Sequence, residues 1–239
     1  MRAYATLIGQ FIRASVQQEL AYRANFLISL MHSLLNAATG VLGVAVLFGQ
    51  VETVRGWDLG ATLAVLGVYL TVGALRDLVI SPSLDALAGM DGEVWTGRLD
   101  FTLLRPVDIQ FLASVRHWRP FALVDLVIGI GVLVAAAARL DAAPGPGDLA
   151  AFLVAFGAGL LALYAVLLAF IGLTFWSPGF LFSWVFDGLF QMARYPVGLY
   201  PGWMRLALTW VVPVGIITTV PAQALAGDVG PGLLAGSVI

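Results

Sequence analysis

Two acidic residues, Asp125 and Asp187, lie inside apolar runs long enough to cross a bilayer. An ionised carboxylate at the bilayer centre costs about 2.5–3.5 kcal/mol, so each must be paired, hydrated or put to use. Asp187, Gln191 and Arg194 follow at +4 and +3, which places an acid, an amide and a base on one helix face. That face reads either as an internal Asp187–Arg194 tether or as a cation-tolerant polar spot on a transport path. Asp125 has Arg119, or an arginine of another helix, as its candidate partner. A second constellation comes earlier. Asn25, Ser29, His32, Asn36 and Gly40 follow at +4, +3, +4 and +4, and Ser33, Thr39 and Gly43 widen the same stripe. Polar groups in a membrane helix turn away from lipid, so the stripe faces either a partner helix or a water-filled path.

Other chemistries are excluded by what the chain lacks. It has no cysteine, and all 12 of its basic residues are arginine. A phosphate loop of the GxxxxGK[ST] type needs its lysine, and so does Schiff-base catalysis. Thiolate metal sites and disulfides are out. The two histidines, His32 and His117, are too few for a metal cluster. An intramembrane enzyme, such as a lipid-modifying transferase or a protease, would need a nucleophile–base pair or a metal at membrane depth. There is no HExxH, and His32 is the only histidine inside a span. The net charge of −2 gives no nucleic-acid footprint. No cofactor is expected on this chain. An ion-coupled carrier using Asp125 and Asp187 stays open.

The elements that must hold these residues follow from hydropathy. The chain of 239 residues is 60% hydrophobic and 11% charged, with a mean hydropathy of +0.95. Soluble domains carry about 25% charged residues. A crossing helix needs about 20 apolar residues. On that ruler, residues 24–49, 60–82, 119–138, 149–174 and 180–194 are spans, with Arg76 and Asp77 near the headgroups and Pro82 breaking or kinking the second helix. Residues 1–23 precede them as an amphipathic interfacial helix, its apolar side formed by Tyr4, Leu7, Ile8, Phe11, Ile12, Val16 and Leu20. They do not read as a signal peptide. Ser177-Pro178-Gly179 reads as a tight turn. Pro196, Pro201, Pro213 and Pro221 interrupt residues 195–228, which predicts short, broken, partly re-entrant helices on the outer side. The last run, 229–239, is too short to span. The expectation is a single all-α domain over 1–239, a polytopic helix bundle of about six spans. Eight arginines fall on the side of the N-terminus and four on the other, which places the N-terminus in the cytoplasm of a cell-membrane protein. Arg116-His117-Trp118-Arg119 reads as an interfacial anchor.

The most polar stretch, 83–118, carries Glu93, Trp95, Arg98, Asp100, Phe101 and Arg105, with Leu103 and Leu104 among them. Aromatic anchors set among charges suit a docking surface for another protein; a loop folded back on the membrane interface is the other reading. Here a resemblance enters. Gly97-Arg98-Leu99-Asp100, followed by Leu103-Leu104-Arg105-Pro106-Val107 just after the second span, resembles the cytoplasmic coupling segment of type-2 ABC exporter permeases. Tyr200-Pro201-Gly202-Trp203-Met204-Arg205, then Val212-Pro213 and Pro221-Ala222-Gln223-Ala224-Leu225-Ala226-Gly227, resemble that family's broken helices between the fifth and sixth spans. The departure is the incomplete sixth span. The resemblance implies a membrane-spanning permease that pairs with a second permease chain, the same or a sister. It further implies coupling through residues 83–107 to a separate ATP-binding subunit, which would hold ATP and Mg. It leaves the substrate among drugs, lipids and polysaccharides; the intramembrane carboxylates and the many aromatics lean toward hydrophobic or cationic compounds.

Overall fold

Helices dominate because long apolar runs in lipid must satisfy their backbone groups internally. The computed structural model describes residues 2–21, 23–140, 142–177 and 182–227. Its regular elements are helical. In chain order they are α1 (Arg2–Ala21), α2 (Arg23–Phe48), α3 (Leu59–Asp85), α4 (Arg98–Leu103), α5 (Ile109–Val115), α6 (Ala122–Ala137), α7 (Pro146–Phe175), α8 (Phe182–Phe190), α9 (Gly202–Val211) and α10 (Gly215–Leu225). Side-chain caps start several of them. Asp58 accepts the Ala61 N–H at 2.7 Å, Asp108 accepts that of Phe111 at 2.8 Å, and Asp148 accepts that of Gly145 at 2.8 Å.

Three helices are long and apolar enough to cross a bilayer alone: Ala24–Phe48, Leu59–Asp85 and Pro146–Phe175. The 16 residues of α6 rise about 24 Å, short of the hydrocarbon thickness. Helix α8 has nine residues and runs on as a 3₁₀ turn, Gln191–Arg194. The expected six spans are thus only partly full-length helices. The expected turn at Ser177-Pro178-Gly179 and the run 229–239 fall wholly or partly outside the described residues.

The break expected at Pro82 does not occur. Helix α3 passes through it, with a π turn over Arg76–Ile80 and a last α turn over Ser81–Asp85. Proline cannot donate to the carbonyl four residues back. That carbonyl, Leu78, instead accepts the backbone N–H of Arg119 at 3.1 Å. One turn on, Ser83 Oγ donates to the His117 carbonyl at 3.0 Å and receives the His117 N–H at 2.8 Å. The lower end of α3 is therefore laced to the segment that leads into α6.

Helices α3 and α6 pack antiparallel at backbone distance. A Cβ on Gly67 would lie 2.7 Å from the backbone of Leu133, one on Gly129 2.7 Å from the Thr71 nitrogen, and one on Gly60 2.6 Å from the Arg139 carbonyl oxygen. Small residues allow such approach where lipid gives helices no hydrophobic drive to associate. Helices α9 and α10 meet at 82° around Pro213. Just before α9, the Leu199 and Tyr200 carbonyls accept Arg55 Nη1 at 3.1 and 3.0 Å; just after α10, Gly227 lies beside Asp148 in the first turn of α7. The pair thus enters and leaves on the side that carries the 49–58 loop, as a re-entrant hairpin does.

Helix α1 is held from the opposite side. Ser15 Oγ accepts the Trp118 N–H at 3.1 Å and Glu19 accepts that of Phe121 at 2.8 Å, while the rings of Tyr4 and Phe111 meet edge to face. The sequence marked the apolar face of this helix but not the two polar residues that fasten it.

Overpacking a tight helix contact costs about 1–3 kcal/mol. Gly67→Val and Gly129→Val should each lower the melting temperature and folded yield of the detergent-purified protein. Gly131→Ala, where a Cβ meets nothing within 4 Å, should be neutral or mildly stabilising. Equal melting temperatures for all three variants would contradict the close α3–α6 contact.

Candidate functional site: a polar cavity inside the bundle

A cavity of about 1070 Å³ lies among α1, α2, α3, α8 and the segment before α6. Asn25, Ser29, His32 and Asn36 of α2 all line it, and so do Asp187, Gln191 and Arg194. The two faces read from helical spacing thus meet in one space. Asp125 does not line it. It sits half-buried in the first turn of α6, with no ion pair within 4.0 Å among the described residues.

The expected Asp187–Arg194 tether is not formed. Seven helical residues separate the two by about 10 Å of rise. Asp187 instead accepts Arg76 Nη2 from α3. Arg76 also donates from Nε to Ser81 Oγ at 2.9 Å and lies 3.7 Å from Asp77 Oδ1. Its guanidinium carbon stands 5.6 Å from the ring centres of both Phe186 and Phe190, a cation–π arrangement. Its side chain is 11% exposed, buried against α8 rather than free at the surface. The apolar residues Leu78, Val79 and Ile80 beyond it were the available signal. The π turn that begins at Arg76 inserts one residue into the helical count, which re-aims this face of α3. Arg194 donates from Nη2 to Asn36 Oδ1, and its guanidinium carbon lies 5.7 Å from the centre of the Tyr69 ring. Tyr69, Arg76, Asp77, Ser15 and Glu19 are cavity residues that helical spacing alone did not find.

The polar segment 83–118 divides in two. Glu93 is buried, 6% exposed: Arg116 Nη2 lies 2.7 Å from its Oε1 and Thr102 Oγ1 donates to its Oε2 at 3.2 Å. It therefore holds the segment together rather than offering a docking contact, which corrects its expected place on the surface. Arg98 braces the same fold, donating to Thr96 Oγ1 at 3.0 Å and to the Asp91 carbonyl at 2.6 Å. Gly97, at φ 71°, supplies the left-handed turn that opens α4. Outside stand Met90, Trp95, Phe101, Leu103 and Leu104, all more than half exposed, with Asp100 and Arg105 among them.

Two groups in the polar segments have shifted acidities. Burial raises the Glu19 carboxyl, against the opposing pull of the Phe121 N–H and of Arg119. Burial, helped by Arg116, lowers the His117 imidazole below its usual 6.5. A base with a lowered folded-state pKa takes up protons more readily when unfolded, so its stability contribution is present above 6.5 and is lost as the pH falls below that value. His117→Gln should therefore flatten the loss of thermal stability between about pH 7 and 5; an unchanged pH profile would contradict the assignment. For the ion pair, a double-mutant cycle on Arg76→Gln and Asp187→Asn should give a coupling of about 0.5–3 kcal/mol. Additive effects would show that the pair does not act as one.

The profile described as ABC-2 family transporter protein matches residues 34–239. No curated protein and no solved structure matches the chain. The match covers most of the sequence, including α3 to α10, the second half of α2 and the whole polar segment 83–118, and the chain belongs to the ABC-2 family of transporter proteins.

Proposed function

We propose that this chain is the permease subunit of an ATP-driven ABC exporter, that it works as a dimer with the same or a sister permease, and that a separate ATP-binding subunit drives it. The family is that of the membrane component of ABC transporters, and the apolar helices fit a membrane location. The observation that carries the reading of the path is the cavity: a close-packed helix contact would leave no open polar space of about 1070 Å³ beside Asn25, Ser29, His32 and Asn36. Movement of the ATP-binding subunit would enter through the exposed apolar face of 90–104. From there it has a bonded route: Glu93 to Arg116, then Ser83 and Leu78 of α3 through His117 and Arg119, and α1 through Trp118 and Phe121. Rigid elements joined in this way move as a body. In this reading α1 and residues 83–121 face the cytoplasm, and the re-entrant α9–α10 pair faces outside. The ion-coupled carrier loses support, because Asp187 is engaged by Arg76 and Asp125 lies off the cavity.

Phe101→Glu and Leu104→Glu put a charge into the docking face without touching its internal bonds. Each should reduce co-purification of the ATP-binding subunit by about ten-fold or more, as expected for an interface anchor, while membrane insertion and melting temperature stay unchanged. Retention of the subunit and of transport by both variants would refute the docking face. Sidedness has its own check. The chain has no cysteine, so Gly202→Cys should react with an impermeant thiol label from outside intact cells; labelling only from the cytoplasmic side would reverse the topology.

A further inference from the structure

The three arginines around the cavity differ in their counter-charges. Arg76 has Asp187 and Asp77. Arg119 is exposed and lies within electrostatic reach of Glu19. Arg194 has no carboxylate within 4.0 Å among the described residues. Among the described residues its contacts are neutral, the Asn36 amide oxygen and the face of Tyr69, and its buried Nε–H has no acceptor. A guanidinium cannot escape by losing its proton. A positive charge at membrane depth without a counter-ion is costly, and such residues mark substrate paths.

We propose that the part of the cavity around Arg194 is a binding subsite for an anionic headgroup, a carboxylate or a phosphate, carried on an apolar body; this rests on the reading of the cavity as the transport path. Guanidinium binds such oxyanions through parallel, charge-assisted hydrogen bonds. Asn36, His32 and Gln191 add neutral hydrogen-bonding groups to the wall, and Tyr69, Phe190 and Trp184 add aromatic surface. Asp187, the carboxylate expected to anchor a cation, is held by Arg76, while Glu19, Asp77 and Asp85 line other parts of the cavity. At the Arg194 end, the lean toward cationic compounds drawn from counting carboxylates gives way to one toward anions.

The test uses the full chain in nanodiscs of phosphatidylcholine, with octyl phosphate and octyltrimethylammonium as probes of equal chain length and opposite charge. Binding is read from tryptophan fluorescence, for which Trp184 stands in the cavity wall, and from thermal shift. Octyl phosphate should bind about ten-fold tighter than the ammonium. Arg194→Gln should erase that preference, Arg194→Lys should keep part of it, and Arg13→Gln, at an exposed arginine outside the cavity, should leave it within about two-fold. Discs containing phosphatidylglycerol separate the sources: octyl phosphate binding weakened about ten-fold identifies a lipid headgroup as the occupant, and unchanged binding identifies a free amphiphile. A wild-type protein that binds the ammonium as tightly as the phosphate would overturn the proposal, even if Arg194→Gln fails to fold. So would a folded Arg194→Gln protein that retains the preference, or one that loses only its dimer. Binding needs no ATP. Anion binding without transport of that anion by the reconstituted transporter would leave the subsite standing and remove the path.

Discussion

A guanidinium keeps its charge at any pH a cell reaches, so an arginine placed inside a membrane bundle dictates its surroundings. Arg76 does this here. It sits two-thirds of the way along α3, and the structure supplies Asp187 from α8, Ser81 and Asp77 from its own helix, and the faces of Phe186 and Phe190. These contacts tie α8 to α3 at the level of the cavity. They also leave Arg194, two turns along from Asp187, to find Asn36 on α2 instead. Three helices are thereby pinned around one polar-lined space by two arginines, with the ring of Tyr69 beneath the second. Apolar packing alone has no directional preference in lipid, and polar contacts of this kind specify which helix faces which.

Much of this was legible beforehand, for a reason that lies in helix periodicity. Asn25, Ser29, His32 and Asn36 share a face because 3.6 residues make a turn, and hydrocarbon penalises polar groups enough that such a face must be covered. Asp187, Gln191 and Arg194 followed the same logic. Partners between helices were not legible, because periodicity says nothing about which helix lies opposite. The Asp187–Arg194 tether, one of the two readings of that face, is not formed on that account. The partners of Arg76 were not legible for a different reason: a charged pair near the end of an apolar run looks like a headgroup anchor, and the π turn that begins there has no sequence mark. Pro82 misled similarly. Its missing hydrogen bond is real, but the carbonyl it leaves free is taken by Arg119 from a distant part of the chain. In the polar segment, residue types were informative and burial was not. Glu93 and Trp95 are neighbours in sequence, yet one holds the interior and the other faces out.

The segment after α3 is an ordered unit with its own interior, which explains its odd composition. Thr102 and Arg116 converge on Glu93, Gly97 opens the α4 turn, and Asp108 caps α5. With these polar groups engaged inside, large apolar side chains are left on the outside. A solvated loop without an interior would show the opposite distribution. The same internal bonds make the unit stiff enough to transmit a displacement instead of absorbing it.

The double clasp between Ser83 and His117 has an evolutionary consequence. The two residues are 34 positions apart, yet they are hydrogen-bonded to each other in both directions. The chain therefore leaves the bundle and returns to it at nearly one point, and what lies between is an excursion that touches the bundle again only through contacts such as Phe111–Tyr4 and Ser114–Tyr164. Loop-closure entropy rises only slowly with length, by about 0.6 kcal/mol per doubling. Such an excursion is free to lengthen, shorten or change its surface while the clasp keeps α3 and α6 in register. The helix bundle and this excursion can then diverge at separate rates, and an exchange of the excursion between related chains would have a natural pair of cut sites.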